Sequence, residues 1–447
     1  MLLLVLFSSA PAKASENSYS LVQCQERALK NNAEMQEAAL EIQASRETKA
    51  AAFTKYFPSV SAQAVGMVAA NPVLKIPTQG GNLPVYDGNP ANLATATQFA
   101  YMPAGTISAA GHATVLALAA VQPLYVGGRV RNGNRLAEVG EQVAEQKAVL
   151  SRREVLAQTE EKYWRLVTLA EKLRTLEAYE RLLSELDKQV TDGLAAGLLT
   201  LNDQLKVRLK RAEASVDRQR LEDGLRLSAR DLRHHIGLPP GEQITLAEGL
   251  AAPTDPEALK RGREGAIARR PEILLLESGV KAERLQAAMK RGEMLPTASV
   301  GAGVYRADVE GMPGATNALV FGVLNVPLSD IWTASHELAS QRAKENIARK
   351  KLADTQELLA LQIEKAWCDL FTAWRGAQVS ESSVEQADVN LKEETDRHAN
   401  GLVSFSDLLE AQVLHQQALD RRIDSRSDYW LKRSGFLRAV AWEETRQ

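Results

Sequence analysis

Gln122-Pro123-Leu124-Tyr125-Val126-Gly127-Gly128-Arg129 closes an apolar stretch and opens a long run of helix formers. Val326-Pro327-Leu328-Ser329-Asp330 does the same later in the chain. Pro123 and Pro327 stand 204 residues apart, and so do Gly197-Leu198 ahead of Asp203 and Gly401-Leu402 ahead of Asp407. Tyr163-Trp164-Arg165-Leu166 lies over Trp367-Cys368-Asp369-Leu370 at the same offset of 204. One spacing kept over this span means a duplicated unit with no net insertion, and a repeat constrains the fold before any other signal.

A second offset of 238 relates Leu21, Ala28, Ala33 and Pro58 to Leu259, Ala266, Pro271 and Pro296. The offsets differ by 34 residues, and the difference falls between the paired prolines: 65 residues from Pro58 to Pro123, 31 from Pro296 to Pro327. Each half therefore reads short helix, helix, β-hairpin, long helix, turn, return helix. The first repeat spans 19–240 and the second 259–442, joined by a connector at 241–258 in which Asp255-Pro256 starts a short helix.

Ser59-Val60-Ser61-Ala62-Gln63-Ala64 and residues 297–304 alternate with the period of a two-faced strand. Strands are expected at about 58–70, 112–124, 296–306 and 317–328, long enough to cross a bilayer when tilted. The segment 71–110 is rich in Pro, Gly and Asn and nearly uncharged, and reads as a variable surface loop. Long helices are expected at about 132–194 and 334–399, both free of proline. The first would be ~95 Å long at 1.5 Å per residue. Leu173, Leu176, Leu183, Leu186 and Val190 form a 3–4 stripe, and a pattern this long implies coiled coil or a helical repeat. Gly193, Gly197 and Asn400-Gly401 make turns, and Thr200 and Ser404 cap the return helices.

The fold class is mainly α with a β-barrel part. Four strands leave two open edges, which cannot face lipid, and fall short of the roughly eight that close a barrel. Closure therefore requires other chains. No apolar run is long enough for a transmembrane helix.

The chain has 447 residues, and 54 Lys and Arg against 56 Asp and Glu leave a net charge of −2. A nucleic-acid binder would carry a basic excess. Two cysteines exclude a disulfide scaffold and a cysteine-ligated zinc site. Cys24 and Cys368 fall at similar depth along the helices by residue count, but equal depth does not make them a pair. Residues 2–7 form an apolar core ahead of Ala12-Lys13-Ala14, a signal-peptide pattern covering 1–14. The chain has no G-x-x-x-x-G-K-[ST], no H-E-x-x-H and no C-x-x-C. His336-Glu337 lacks the second histidine, and the adjacent His234 and His235 point to different helix faces. No catalytic residue, cofactor or metal is expected. Gly127-Gly128 reads as pliable backbone where strand becomes helix. Arg129, Arg131 and Arg135 face either anionic headgroups or water.

These residues resemble the TolC family of outer-membrane efflux and secretion channels. The stretch 122–129 looks like that family's strand-to-helix junction. Tyr56-Phe57-Pro58-Ser59-Val60 and Met294-Leu295-Pro296 look like its helix-to-strand junctions, so Pro58, Pro123, Pro296 and Pro327 mark the borders. Ile236-Gly237-Leu238-Pro239 resembles the end of its first return helix. The resemblance covers roughly 20–442. It implies a homotrimer whose protomers each give four strands to one twelve-stranded barrel in outer-membrane lipid, with helices forming a periplasmic α-barrel. It implies a passive exit duct of a tripartite efflux pump or type I secretion system. Its partners would be a periplasmic adaptor, docked at the tips around Gly197, Leu198, Gly401 and Leu402, and an inner-membrane transporter.

The resemblance also implies that Asp407 and Glu410 line the narrow end of the channel, with Asp203 the first-half equivalent of Asp407. Asp407 and Glu410 share a helix face by their spacing. Acids also suit the first turn of a helix capped by Ser404, so capping stays open as a second reading. The chain departs from the family at Val403, where members often carry a basic latch residue. His398 stands where an aromatic hydroxyl can serve the latch, and the closed state is expected to rest on Leu402, Val403 and Phe405. Competing classes are an exported coiled-coil structural protein or adhesin, which leaves the two hairpins unexplained, and a periplasmic adaptor, which would need a lipoyl-like β domain.

Overall fold

Along the chain, β1 (Ser18–Tyr19) leads into α1 (Leu21–Asn31), α2 (Ala33–Phe53) and β2 (Ser59–Val68). The strands β3 (Leu74–Thr78), β4 (Gly81–Pro84), β5 (Phe99–Met102), β6 (Gly105–Ala109) and β7 (His112–Val126) follow. Helices α3 (Arg129–Ala195) and α4 (Leu201–His235) come next, then β8 (Thr245–Leu246), α5 (Pro271–Glu293), β9 (Thr297–Val309), β10 (Ala315–Asn325), α6 (Asp330–Ala399) and α7 (Phe405–Ala439). The structure is a computed structural model describing residues 18–71, 73–86, 88–109, 111–262 and 267–440. The leader read at 1–14 and the last residues of the second repeat, 441–442, lie outside the described residues.

The chain divides into two compact units: one takes in residues up to Arg46, Gly140–Val280 and Ile347 onward, the other Glu47–Val139 and Lys281–Asn346. The first unit is helical, and its cores repeat with the sequence. One core gathers Tyr163, Leu166, Leu232 and Ile236; another gathers Leu370, Phe436 and Val440. Leu166 and Leu370, Leu232 and Phe436, Ile236 and Val440 are each 204 residues apart. The helix ends match as well: the Ile236 N–H donates to Leu232 O and the Val440 N–H to Phe436 O, both at 3.0 Å. Tyr163 is fully buried, and its hydroxyl donates to Tyr19 O at 3.2 Å, tying the short parallel pair β1–β8 to α3. Cys24 lies in this core while Cys368 is exposed, and both are free thiols. In the connector, Asp255 Oδ1 accepts from the Glu257 N–H at 2.9 Å and opens a 3-10 helix at Pro256–Gly262.

A third core holds the far turns of the helical hairpins: Leu176, Leu183, Leu186 and Val190 of α3, Val207 of α4, Phe405 and Leu409 of α7. The 3–4 spacing of the α3 members is the seam that the stripe predicts. Burying each such side chain contributes about 1.5–3 kcal/mol, so packing rather than helix propensity holds these helices.

The second unit carries a four-stranded antiparallel sheet in the order β10-β9-β7-β2. Strand β10 stops at Asn325, because Pro327 has no N–H to give a ladder. Pro123 behaves differently. It lies inside β7, where the register against β9 slips between Pro123 and Tyr125, so it makes a bulge and not the border itself. The segment 71–110 is not a bare loop. It folds as two antiparallel ribbons, β3 with β6 and β4 with β5, with a 3-10 turn at Pro90–Thr95. The arms of the β2–β7 hairpin deliver the two chain segments side by side, and pairing satisfies their backbone groups.

Candidate functional site: sheet faces and helical tips

Cross-strand pairing sorts the sheet into two faces, since alternate residues point to opposite sides. Leu118 pairs with Ala62 and Val304, Ala120 with Val60 and Ala302, and Ala302 in turn with Val320. This face is apolar up to its rim, where Arg306 and Asp308 pair at 2.9 Å. The other face is mixed: Ser59, Ser61, Gln63, Ser299, Tyr305 and Asn317 alternate with Val65, Val121, Leu319, Phe321 and Val323. Phe321 lies over Gly301, where an added Cβ would stand 2.3 Å from the ring. The apolar face is uncovered: Val60 and Val320 are 68% and 85% exposed. A sheet with one bare apolar face, and with its Ser, Gln and Asn side chains on the other, suits a place between lipid and a wetter lumen. The edges β2 and β10 make no further strand pair among the described residues.

Aromatic side chains collect where helices meet this sheet. Phe53, Tyr56 and Phe57 precede β2, Tyr125 ends β7 and Trp332 follows β10, all exposed. Phe53 touches the Tyr56 and Phe57 rings edge-on at 5.7 and 5.6 Å. Amphipathic rings at such a level suit a membrane–water interface. In the sequence Tyr56, Phe57 and Tyr125 stand only as junction residues; the grouping becomes visible once the strands are paired.

The strand-to-helix border is made by glycine. Gly127 and Gly128 have φ of 62° and 74°. A Cβ on Gly127 would stand 2.1 Å from Gly292 O, so two backbones meet where only glycine fits. The Arg129 guanidinium donates to Val126 O at 3.2 Å and is committed to its own chain. Pro58 and Pro296 directly precede β2 and β9, and Pro327 lies between β10 and α6.

The two helical tips are copies. Gly197 and Gly401 have φ of 76° and 69°, the left-handed turn that ends a helix with glycine. The Leu198 N–H returns to Gly193 O at 2.8 Å, and the Leu402 N–H to Arg397 O at 2.9 Å. Thr200 and Asp203 form a capping box, as do Ser404 and Asp407. Leu198 and Leu402 stand exposed at the turns. Asp407 Oδ2 accepts from the Ser404 N–H at 2.9 Å and hydroxyl at 2.7 Å. These bonds hold its carboxyl below the usual range, and Thr200 does the same for Asp203. Asp407 and Glu410 are exposed, while Lys206 occupies the first-half position equivalent to Glu410. Of the expected latch residues, Phe405 is buried in the tip core and Val403 is half-buried. The His398 ring meets Phe405 edge-on at 5.8 Å. Among the described residues no three His, Cys, Asp or Glu side chains gather as a metal site, and no helix is long and apolar enough to span a membrane.

No protein-family model matches the chain, and no curated protein matches it in sequence. Solved structures do. The outer membrane protein VceC of Vibrio cholerae is similar with a TM-score of 0.74 at 16% identity, over 95% of this chain and 97% of that one. The outer-membrane channel OprN gives 0.74 at 15% identity, over 95% and 90%. The CmeC outer membrane channel of Campylobacter jejuni gives 0.73 at 13%, over 100% and 92%. At these identities the likeness is one of architecture, and it spans nearly the whole of each chain: this chain has the protomer fold of the outer-membrane channels.

Proposed function

We propose that the chain is one protomer of a passive outer-membrane exit duct that extends into the periplasm. The observation that carries the reading is the four-stranded sheet with one bare apolar face, a second face that holds its Ser, Gln and Asn side chains, and two unpaired edges. Its strands alternate in direction, so β2 of one copy would run antiparallel to β10 of the next. Head-to-tail pairing of this kind closes into a ring. Three copies would give the twelve strands that the TolC resemblance implies. The neighbours OprN and CmeC are described as outer-membrane channels, which supports the same reading here. With no nucleotide motif in the sequence, transport energy would come from an inner-membrane transporter, through an adaptor engaging the exposed Leu198 and Leu402. The acids Asp203, Asp407 and Glu410 would line the tip constriction.

Purified outer membranes test this. Detergent extracts should contain a heat-modifiable trimer that conducts ions in planar bilayers. A monomer lacking conductance would overturn the reading.

A further inference from the structure

The two repeats close the same joint with different chemistry. Asn32, at the α1–α2 break, donates to the carbonyl of His235 at the end of α4 at 3.0 Å. Arg270, directly before α5, donates to the carbonyl of Ala439 at the end of α7 at 2.8 Å. Asn32 and Arg270 are related by the offset of 238, His235 and Ala439 by 204. Both joints therefore pin the entry helix of a repeat to the last turn of its return helix.

The second joint is permanently charged. Arg270 is buried, and its guanidinium holds the Glu272 carboxylate through Nη2 at 2.7 Å and Nε at 3.1 Å. The first joint is neutral and centres on a buried imidazole. His235 Nε2 lies 3.2 Å from Val155 O and 3.0 Å from Thr159 Oγ1. The Thr159 hydroxyl proton already goes to Val155 O at 2.6 Å, so Nε2 carries the ring proton. Nδ1 is then the acceptor, and it faces Asn32 Nδ2 at 3.2 Å.

We propose that this first joint is a proton-sensitive latch that releases the α1–α2 junction on acidification, while its counterpart at Arg270 stays shut. A second ring proton must sit on Nδ1, directly against the Asn32 amide N–H. Asn32 cannot turn its oxygen to meet it without loss. That oxygen accepts from the Glu34 N–H at 2.9 Å, and the amide nitrogen would leave His235 O. The charged groups whose fields reach the ring are Lys162 from α3, Asp231 from α4 and Glu34 from α2. Lys162 opposes protonation, and its ammonium pairs with Asp231 at 2.5 Å. No carboxylate hydrogen-bonds the ring among the described residues. Burial is the largest cause holding His235 below its ordinary value. A lowered folded value means the stabilisation is complete above the ordinary histidine value of ~6.5 and is lost as pH falls below it.

Hydrogen exchange of the full-length protein, followed by mass spectrometry from pH 7.5 to 5, tests the latch. Protection of residues 21–38 should fall by up to about tenfold per pH unit below ~6.5, the limit for one linked proton. Protection of 271–280, behind the Arg270 joint, should hold, which makes it the internal control. His235→Gln should remove the pH dependence at 21–38. Asn32→Asp should invert it, because a carboxylate accepts from the imidazolium, and this variant serves if His235→Gln does not fold. Equal loss of protection at both joints, or no loss at 21–38, overturns the proposal. The outcome is independent of trimer assembly and conductance, so it stands apart from the channel reading.

Discussion

Lys206 of α4 donates to the hydroxyl of Ser406 of α7 at 2.6 Å, joining the tips of the two helical hairpins within one chain. Its charge also lies close enough to lower the Asp407 carboxyl, after the larger effect of Ser404. A hydrogen bond from a charged donor contributes about 1.5–3 kcal/mol. Lys206→Met should loosen the tips and raise open probability in planar bilayers, with the trimer intact. An unchanged record would show that this contact does not hold the tip.

Glu410→Gln isolates the constriction from capping. Asp407 serves both the Ser404 cap and the proposed ring of charge, whereas Glu410 lies outside the capping box. Glu410→Gln should therefore reduce cation selectivity without lowering thermal stability, as expected for acid rings in cation-selective pores. Reversal-potential measurements under a salt gradient give the answer. Because Ser404 holds Asp407 below the usual range, the selectivity left to Asp407 should survive acidification to below the ordinary carboxylate value of about 3.9.

Gly127→Ala should block assembly, since the new Cβ meets the Gly292 backbone at 2.1 Å and φ is 62°. Gly128→Ala is the paired control. Its φ is 74°, but the nearest atom is a side-chain nitrogen at 3.7 Å, so only the left-handed cost of about 1–2 kcal/mol applies. The yield of heat-modifiable trimer should fall sharply for the first and modestly for the second.

Deleting 75–108 should leave the trimer assembled and conducting. Leu74 and Ala109 are cross-strand partners, so the cut rejoins two residues already side by side. Shortening a surface ribbon costs little closure entropy. Loss of the trimer would mean that the ribbons help pair the copies.

Phe436→Ala should cost about 3–5 kcal/mol, the usual penalty for emptying a buried aromatic site. The expected readout is a lowered midpoint in thermal unfolding of the helical unit. Leu232→Ala, its equivalent 204 residues earlier and also fully buried, should cost about 2–5 kcal/mol by the same mechanism.

Much of this protein was legible from the chain, because its signals are local or periodic. The duplication showed in repeated spacings, the tips in glycine followed by Thr200 or Ser404, and the strands in alternation. Capping bonds span three residues and a strand's faces alternate every second residue, so neither needs the rest of the molecule. Tertiary structure decided the remainder. The segment 71–110 reads as loop from its Pro, Gly and Asn, and its ribbons show only in the pairing of β3 with β6 and β4 with β5. Asn32 and His235, 203 residues apart, carry no motif that pairs them. Their contact, like that of Gly127 with Gly292, exists only because packed helix ends and crossing backbones leave one geometry for each, and no local spacing encodes that choice.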